Sequence, residues 1–233
     1  MLAHRVIPTI LSKNGHLVKG EGFKADRICG NALQAARIHA MRSVDELVIF
    51  DLDSDKPDYE MVMKLTDKCF TPVSVGGGIR NTNDVKELLK AGADKICLKY
   101  NHIETGLIKE SSESLGAQCI TVVLNTHKGL AYNGFEAKNA AWASEYDGAG
   151  EIILQSIERD GTMQGYDLEL IESVANSTKV PVIASGGCSG YEDMLKAIKA
   201  GASAVAAGAL FLFTDATPKG ASEYLSNHVE VRV

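Results

Sequence analysis

Eight short apolar runs, alternating with segments of helical spacing, predict a (β/α)8 TIM barrel for this chain of 233 residues. Short connections between such units imply parallel strands, and at this length eight parallel strands close naturally on themselves. A second observation is an internal repeat. The stretch 71–99 (TPVSVGGGIRNTNDVKELLKAGADKICLK) lies without gaps over 180–208 (VPVIASGGCSGYEDMLKAIKAGASAVAAG) at a constant offset of 109 residues. Pro72, Val73, Gly77, Gly78, Asp84, Lys90, Ala91, Gly92 and Ala93 all meet an identical partner. The offset is close to half the chain, so the expectation is one domain over 1–233 built from two half-barrels, approximately 1–115 and 116–233. The rival is an open doubly wound sheet, which a two-fold repeat of four units disfavours.

The elements follow in order. Residues 5–11 (RVIPTIL) form a first strand, apolar almost throughout, as expected where both faces are covered. Residues 12–30 read as a long loop with four glycines and three lysines, Lys13, Lys19 and Lys24. A loop of this length in a compact domain is usually functional. Helical spacing covers 31–41, a second strand 45–51, and a second helix 58–68. Residues 72–75, 83–91 and 95–98 supply the third strand, its helix and the fourth strand. The second half repeats the order: strands at 119–124, 151–156, 182–185 and 204–207, with helices at 138–146, 167–176, 191–200 and 220–227.

Composition narrows the function. The net charge of -6 argues against a broad basic surface for nucleic acid. No apolar run reaches membrane-spanning length, and the N-terminus lacks the long apolar stretch of a signal peptide. The five cysteines (Cys29, Cys69, Cys97, Cys119, Cys188) are odd in number and widely spaced. They read as reduced thiols in a cytoplasmic protein, with no metal site and no organic cofactor implied.

In a barrel the active site lies at the carboxyl ends of the strands. Four glycine-containing turns follow strands there: Gly76-Gly77-Gly78, Asp160-Gly161, Ser185-Gly186-Gly187 and Gly208-Ala209. Backbone N–H groups in such turns suit phosphates. With matching turns in both halves, the repeat implies two phosphate sites on opposite sides of the mouth. The plainer reading is that the glycines only permit tight turns. At the other end, Arg5, Glu46, Lys95 and Glu151 begin strands one, two, four and six. Charges at the start of apolar barrel strands are costly unless paired, so a ring across the floor competes with four independent surface charges.

The ordered motifs RVIP, DELVIFDLD, SVGGGI, GADKICL, GAGEIILQSIERDGTMQGYD and PVIASGG span nearly the whole chain. Together they closely resemble the cyclase subunit of imidazole glycerol phosphate synthase, a histidine-biosynthesis barrel that pairs with a glutaminase. The turn GGGI and the loop Glu158-Arg159-Asp160-Gly161-Thr162 carry the resemblance most specifically. It implies a substrate with two phosphates, held by Gly78, Lys99, Gly161, Gly187, Gly208 and Ala209. It also implies that Arg5, Glu46, Lys95 and Glu151 form a gate admitting ammonia from a glutaminase docked on the amino-terminal face of the barrel.

Departures from the family pattern are as informative. The resemblance places acid/base aspartates at the ends of strands one and five, where this chain has Leu11 and Asn125. Leucine exchanges no proton, and asparagine orients but does not titrate near neutrality. The family's Asn-Thr pair after strand four is Lys99-Tyr100, and the loop after strand five is short. Lys19, Asp51 and Asp160 match family positions. Lys19 reads as a cation closing over substrate or as a solvated loop lysine, and Asp51 and Asp160 as substrate ligands or helix caps. His127 is a candidate replacement base.

The expectation that results is a paralogue of the cyclase subunit. It acts with a glutaminase and a separate amidotransferase to channel ammonia to a phosphorylated sugar-like molecule in surface-sugar amidation. The alternatives are an active cyclase-lyase, a phosphosugar isomerase and a phosphometabolite-binding module.

Overall fold

The computed structural model of the chain describes residues 3–24, 27–42, 44–52, 55–67, 70–103, 105–131 and 134–231. Cys69 lies outside the described residues. The strands are β1 (Arg5–Lys13), β2 (His16–Lys19), β3 (Arg27–Asn31), β4 (Leu47–Asp51), β5 (Val73–Gly76), β6 (Lys95–Lys99), β7 (Ile120–Thr126), β8 (Glu151–Ser156), β9 (Val182–Ser185) and β10 (Ala204–Ala207). The helices are α1 (Ala32–Met41), α2 (Tyr59–Thr66), α3 (Thr82–Lys90), α4 (Leu107–Leu115), α5 (Ala137–Tyr146), α6 (Leu168–Ala175), α7 (Tyr191–Lys199), α8 (Ala209–Phe213) and α9 (Pro218–Ser226).

Strand β1 and strands β4 to β10 run parallel in chain order, and β10 pairs back onto β1 through Arg5↔Ala204 to Pro8↔Ala207. This closes an eight-stranded parallel barrel with helices between the strands, as the (β/α)8 expectation required. The continuous apolar character of the strands has its cause in two separate packing layers. Inside the barrel, Ile7, Val48, Cys97, Val123, Ile153 and Ile183 form one small core with Ala204 and Ala206. Outside it, alternate residues such as Ile10, Ile49, Leu98, Leu124 and Leu154 join the larger core beneath the helices. A strand buried on both faces has no polar side to alternate with.

Helix starts follow capping chemistry. Asn31, Asp58, Asn81 and Asp167 each accept a hydrogen bond from a backbone N–H three residues on, and Thr217 caps α9 ahead of Pro218. Asp51 and Asp160 cap neither α2 nor α6, so the helix-cap reading of those two aspartates is corrected: Asp58 and Asp167 do that work.

The expected loop over 12–30 is also corrected. Strand β1 continues to Lys13, and an antiparallel pair, β2 and β3, projects from the mouth. Lys13 and His16 are Cα partners, with Asn14 (φ 50°) and Gly15 (φ 75°) between them. Two positive-φ residues in a two-residue connection make a type I′ turn, whose twist matches an antiparallel hairpin. Asn-Gly is the strongest short hairpin signal in a sequence, and here it outweighs the loop-like glycine content that follows.

Candidate functional site

A cavity of about 510 Å³ opens at the carboxyl ends of the barrel strands. Its walls come from registered rows of inward-facing residues. Leu11 on β1 is the Cα partner of Phe50 on β4, which in turn pairs with Gly76 on β5. On the far side Asn125 of β7 pairs with Gln155 of β8, and Gln155 with Ser185 of β9. The β1–β4 side therefore presents a Leu11–Phe50 apolar patch, with Thr9, Lys13 and Asp51 lining the cavity around it, and the opposite arc is a polar row. Gly76 is needed where it stands, because a Cβ there would lie 2.9 Å from the Phe50 ring.

Gly78, Gly161, Gly187, Gly208 and Ala209 all line this cavity, as do Lys99, Asp51, Leu11 and Asn125. The turns after β5 and β9 share local geometry: Gly77, Gly78, Gly186 and Gly187 all have positive φ. In each turn an aspartate accepts a backbone N–H four residues before it, Asp84 from Arg80 at 2.9 Å and Asp193 from Ser189 at 3.0 Å. Both bonds hold the turn against the start of the following helix, α3 or α7.

Lys19, at the end of β2, is not a solvated loop lysine. Its Nζ lies 3.0 Å from Asp160 Oδ1, and both side chains are nearly closed to solvent. The hairpin is clamped down at the same place, since Gly22 N–H donates to the Asp160 carbonyl at 3.0 Å. Gly161 admits this approach: a Cβ on it would sit 2.0 Å from the Gly20 carbonyl oxygen.

His127 is brought elsewhere. Strand β7 runs on to Thr126, and Lys128-Gly129 turn with positive φ so that His127 pairs with Leu130 beyond the mouth. Its side chain is 64% exposed, with Nδ1 3.0 Å from Glu158, and it does not line the cavity. The expectation of a replacement base at His127 is corrected on that geometry.

The opposite end of the barrel carries a closed ring of charge. Arg5 donates to Glu46 at 2.5 Å and to Glu151 at 2.7 Å, and Lys95 donates to the same two carboxylates at 2.9 and 2.7 Å. Ser74 adds a third bond to Glu46 at 2.6 Å. Burial by itself would lower the Arg5 pKa, but attraction and hydrogen bonds from Glu151 and Glu46 outweigh it and raise the pKa above the ordinary arginine value. Alternating signs offset part of the cost of burying charge in this floor. Between ring and mouth lie the apolar interior, the Cys97 thiol and Thr121. Burial pushes the Cys97 thiol well above its ordinary pKa, so no thiolate forms there.

The thiol of Cys188, in the turn after β9, is likewise pushed up to about 11, chiefly by burial. Cys29, Cys97, Cys119 and Cys188 are all free, and no group of three or more metal-ligating side chains occurs among the described residues. No helix among them is long and apolar enough to cross a membrane.

Comparison with known proteins identifies the lineage of this architecture. The family model described as histidine biosynthesis protein matches residues 5–217. A putative imidazole glycerol phosphate synthase subunit hisF2 of Campylobacter jejuni is 37% identical, over 97% of this chain and 96% of that protein. The imidazole glycerol phosphate synthase subunit HisF of Endomicrobium trichonymphae is 37% identical over all of this chain and 96% of its own. The HisF subunit of Streptomyces griseus is 38% identical over 92% of each. The chain belongs to the HisF family.

Within this HisF-family barrel, the structure gathers at one mouth Leu11, Lys19, Asp51, Asn125, Asp160 and the phosphate-site candidates, but not His127, and gathers the four floor charges into one ring. Gln155, Phe50 and Met163 also line the cavity and escaped the sequence reading, whereas the sequence places Ser185 there with its glycine turn. Period-two alternation from Glu151 would have pointed Gln155 inward, and alternation from Glu46 would have done the same for Phe50. Met163 gave no such signal, because it sits at positive φ in an irregular loop.

Proposed function

We propose that this HisF-family chain conducts ammonia rather than performing the cyclase reaction itself. A glutaminase docks on the amino-terminal face, ammonia passes the four-charge ring and the barrel axis, and a phosphorylated sugar-like acceptor meets it at the mouth. The acceptor belongs to surface-sugar amidation, with a separate amidotransferase as the further partner, and the complex works in the cytoplasm. The observation that carries this reading is the contrast between the two ends. The floor holds a fully paired ring of Arg5, Glu46, Lys95 and Glu151, whereas the mouth positions expected to bear aspartates hold Leu11 and Asn125.

Physical chemistry supports the division. Ammonia passes such a barrel as the neutral molecule, because the apolar interior beyond the charge-balanced ring would strip an ammonium ion of its water without replacing it. The bonds of 2.5–2.9 Å close the ring, so passage requires its rearrangement. At the mouth, general acid and general base each contribute about 10²–10⁴-fold to such reactions. A leucine and an asparagine in their places remove both contributions. Gly78 and Lys99 on one side, and Gly161, Gly187, Gly208 and Ala209 on the other, remain as phosphate ligands, with Asp51 and the Lys19–Asp160 pair beside them.

A second reading, an active cyclase-lyase forming imidazole glycerol phosphate and AICAR, is favoured by the names of the full-length HisF relatives. The deciding measurement is turnover of N'-phosphoribulosyl-formimino-aminoimidazole carboxamide ribonucleotide with saturating ammonium and the purified chain. Ammonium removes any need for a glutaminase. The expected result is binding without cyclisation; cyclisation at an enzyme-like rate overturns the proposal. Acquisition of turnover by the Leu11→Asp/Asn125→Asp double variant would locate the deficit at those two positions.

A further inference from the structure

The mouth has two chemically distinct walls, and together they specify a class of acceptor. Leu11 and Phe50 are Cα partners on adjacent strands, so their side chains leave the same face of the sheet side by side; Leu52 also lines the cavity, and Thr9, Lys13 and Asp51 border this apolar patch. Across the opening, Asn125, Gln155 and Ser185 form an unbroken row of cross-strand partners on three consecutive strands. Gln155 and Ser185 are 9% and 8% exposed, so the solvent they reach is the cavity itself.

We infer that the acceptor is an amphipathic phosphorylated sugar, one in which a hydroxyl has been replaced by an apolar group such as the methyl of a deoxy sugar. The inference rests on the phosphate-binding reading given above and adds the chemistry of the sugar body. A sugar hydroxylated on every side would lose water against Leu11 and Phe50 without gaining a hydrogen bond there, and an unsatisfied buried hydroxyl is costly. A molecule with one apolar edge leaves nothing unpaired. Its apolar edge packs against Leu11, Phe50 and Leu52, while its remaining hydroxyls meet the amides of Asn125 and Gln155 and the hydroxyl of Ser185. Leu11 is then a specificity-determining residue and not merely an absent catalyst.

Calorimetric titration of the whole chain with galactose 1-phosphate and with 6-deoxygalactose 1-phosphate tests this, because the two probes differ by a single hydroxyl. The expected result is binding of the deoxy sugar about tenfold or more tighter than its parent, the range in which an apolar surface discriminates one hydroxyl. Leu11→Asn, similar in size but able to hydrogen-bond, is expected to erase that preference while leaving inorganic phosphate binding unchanged. Equal affinities, or a preference for the parent, overturn the inference. So does binding of inorganic phosphate with no binding of either sugar, which would leave the phosphate turns intact and remove the sugar site. Failure to bind inorganic phosphate at all strikes the phosphate-binding reading first and this inference with it.

Discussion

Lys19 and Asp160 are joined at 3.0 Å across 141 residues of sequence, and this nearly solvent-free pair holds the hairpin of β2 and β3 against the loop after β8. Removing one partner strands a charge in a low-dielectric site, which costs about 3–5 kcal/mol, whereas replacing both with apolar groups costs less. Lys19→Met and Asp160→Leu are each expected to destabilise by that order in urea unfolding, and the double variant by clearly less than the sum. Additive losses would show that the two side chains are not coupled.

The ring at the floor is unequal. Glu46 accepts from Arg5, Lys95 and Ser74 and is almost fully buried, while Glu151 accepts from Arg5 and Lys95 and is more open. Glu46→Gln is therefore expected to lower stability by on the order of 3 kcal/mol, and Glu151→Gln by noticeably less. Denaturant midpoints of the two variants at neutral pH decide it, and the reverse order would refute the asymmetry.

His39 on α1 is buried edge-on against Phe211 of α8, with no hydrogen-bond partner for its Nδ1 among the described residues. Burial, reinforced by the nearby charge of Arg42, lowers its pKa from 6.5 to about 4. The unfolded chain takes up this proton as pH falls through 6.5 and the folded chain resists until about 4, so the stability lost across that window corresponds to about 3 kcal/mol. Above pH 6.5 the group contributes no such loss. His39→Phe is expected to flatten the fall in unfolding free energy between pH 6.5 and 4 by that amount. An unchanged slope would mean that the imidazole does not carry it.

Thr121 faces the barrel interior between Cys97 and Glu151 in the sheet, and its buried Oγ1 has no partner among the described residues. A buried hydroxyl left unpaired costs about 1–3 kcal/mol. Thr121→Val keeps the shape and removes the hydroxyl, so the melting temperature is expected to rise. A fall would show that the hydroxyl is satisfied in the folded chain and refute the unpaired reading.

The closing of the barrel, the order of its strands, the glycine turns at the mouth and the charged residues at the floor were legible in the chain because each is written in local pattern. Apolar runs such as 120–124 and 151–156, capping residues such as Asp58 and Asp167, and turns with two adjacent glycines act over a few residues. Their physical causes are backbone conformation and burial. What only the tertiary structure decided depends on distance across the barrel. Lys19 found Asp160, His127 was turned away by the Lys128-Gly129 turn, and Leu11 met Phe50 opposite the row of Asn125, Gln155 and Ser185. The meeting of Leu11 with Phe50 opposite the polar row rests on strand register, and a shift of one residue would have reversed which side chains face the cavity. Register is set by the packing of the whole closed barrel, so no single stretch of the sequence carries it.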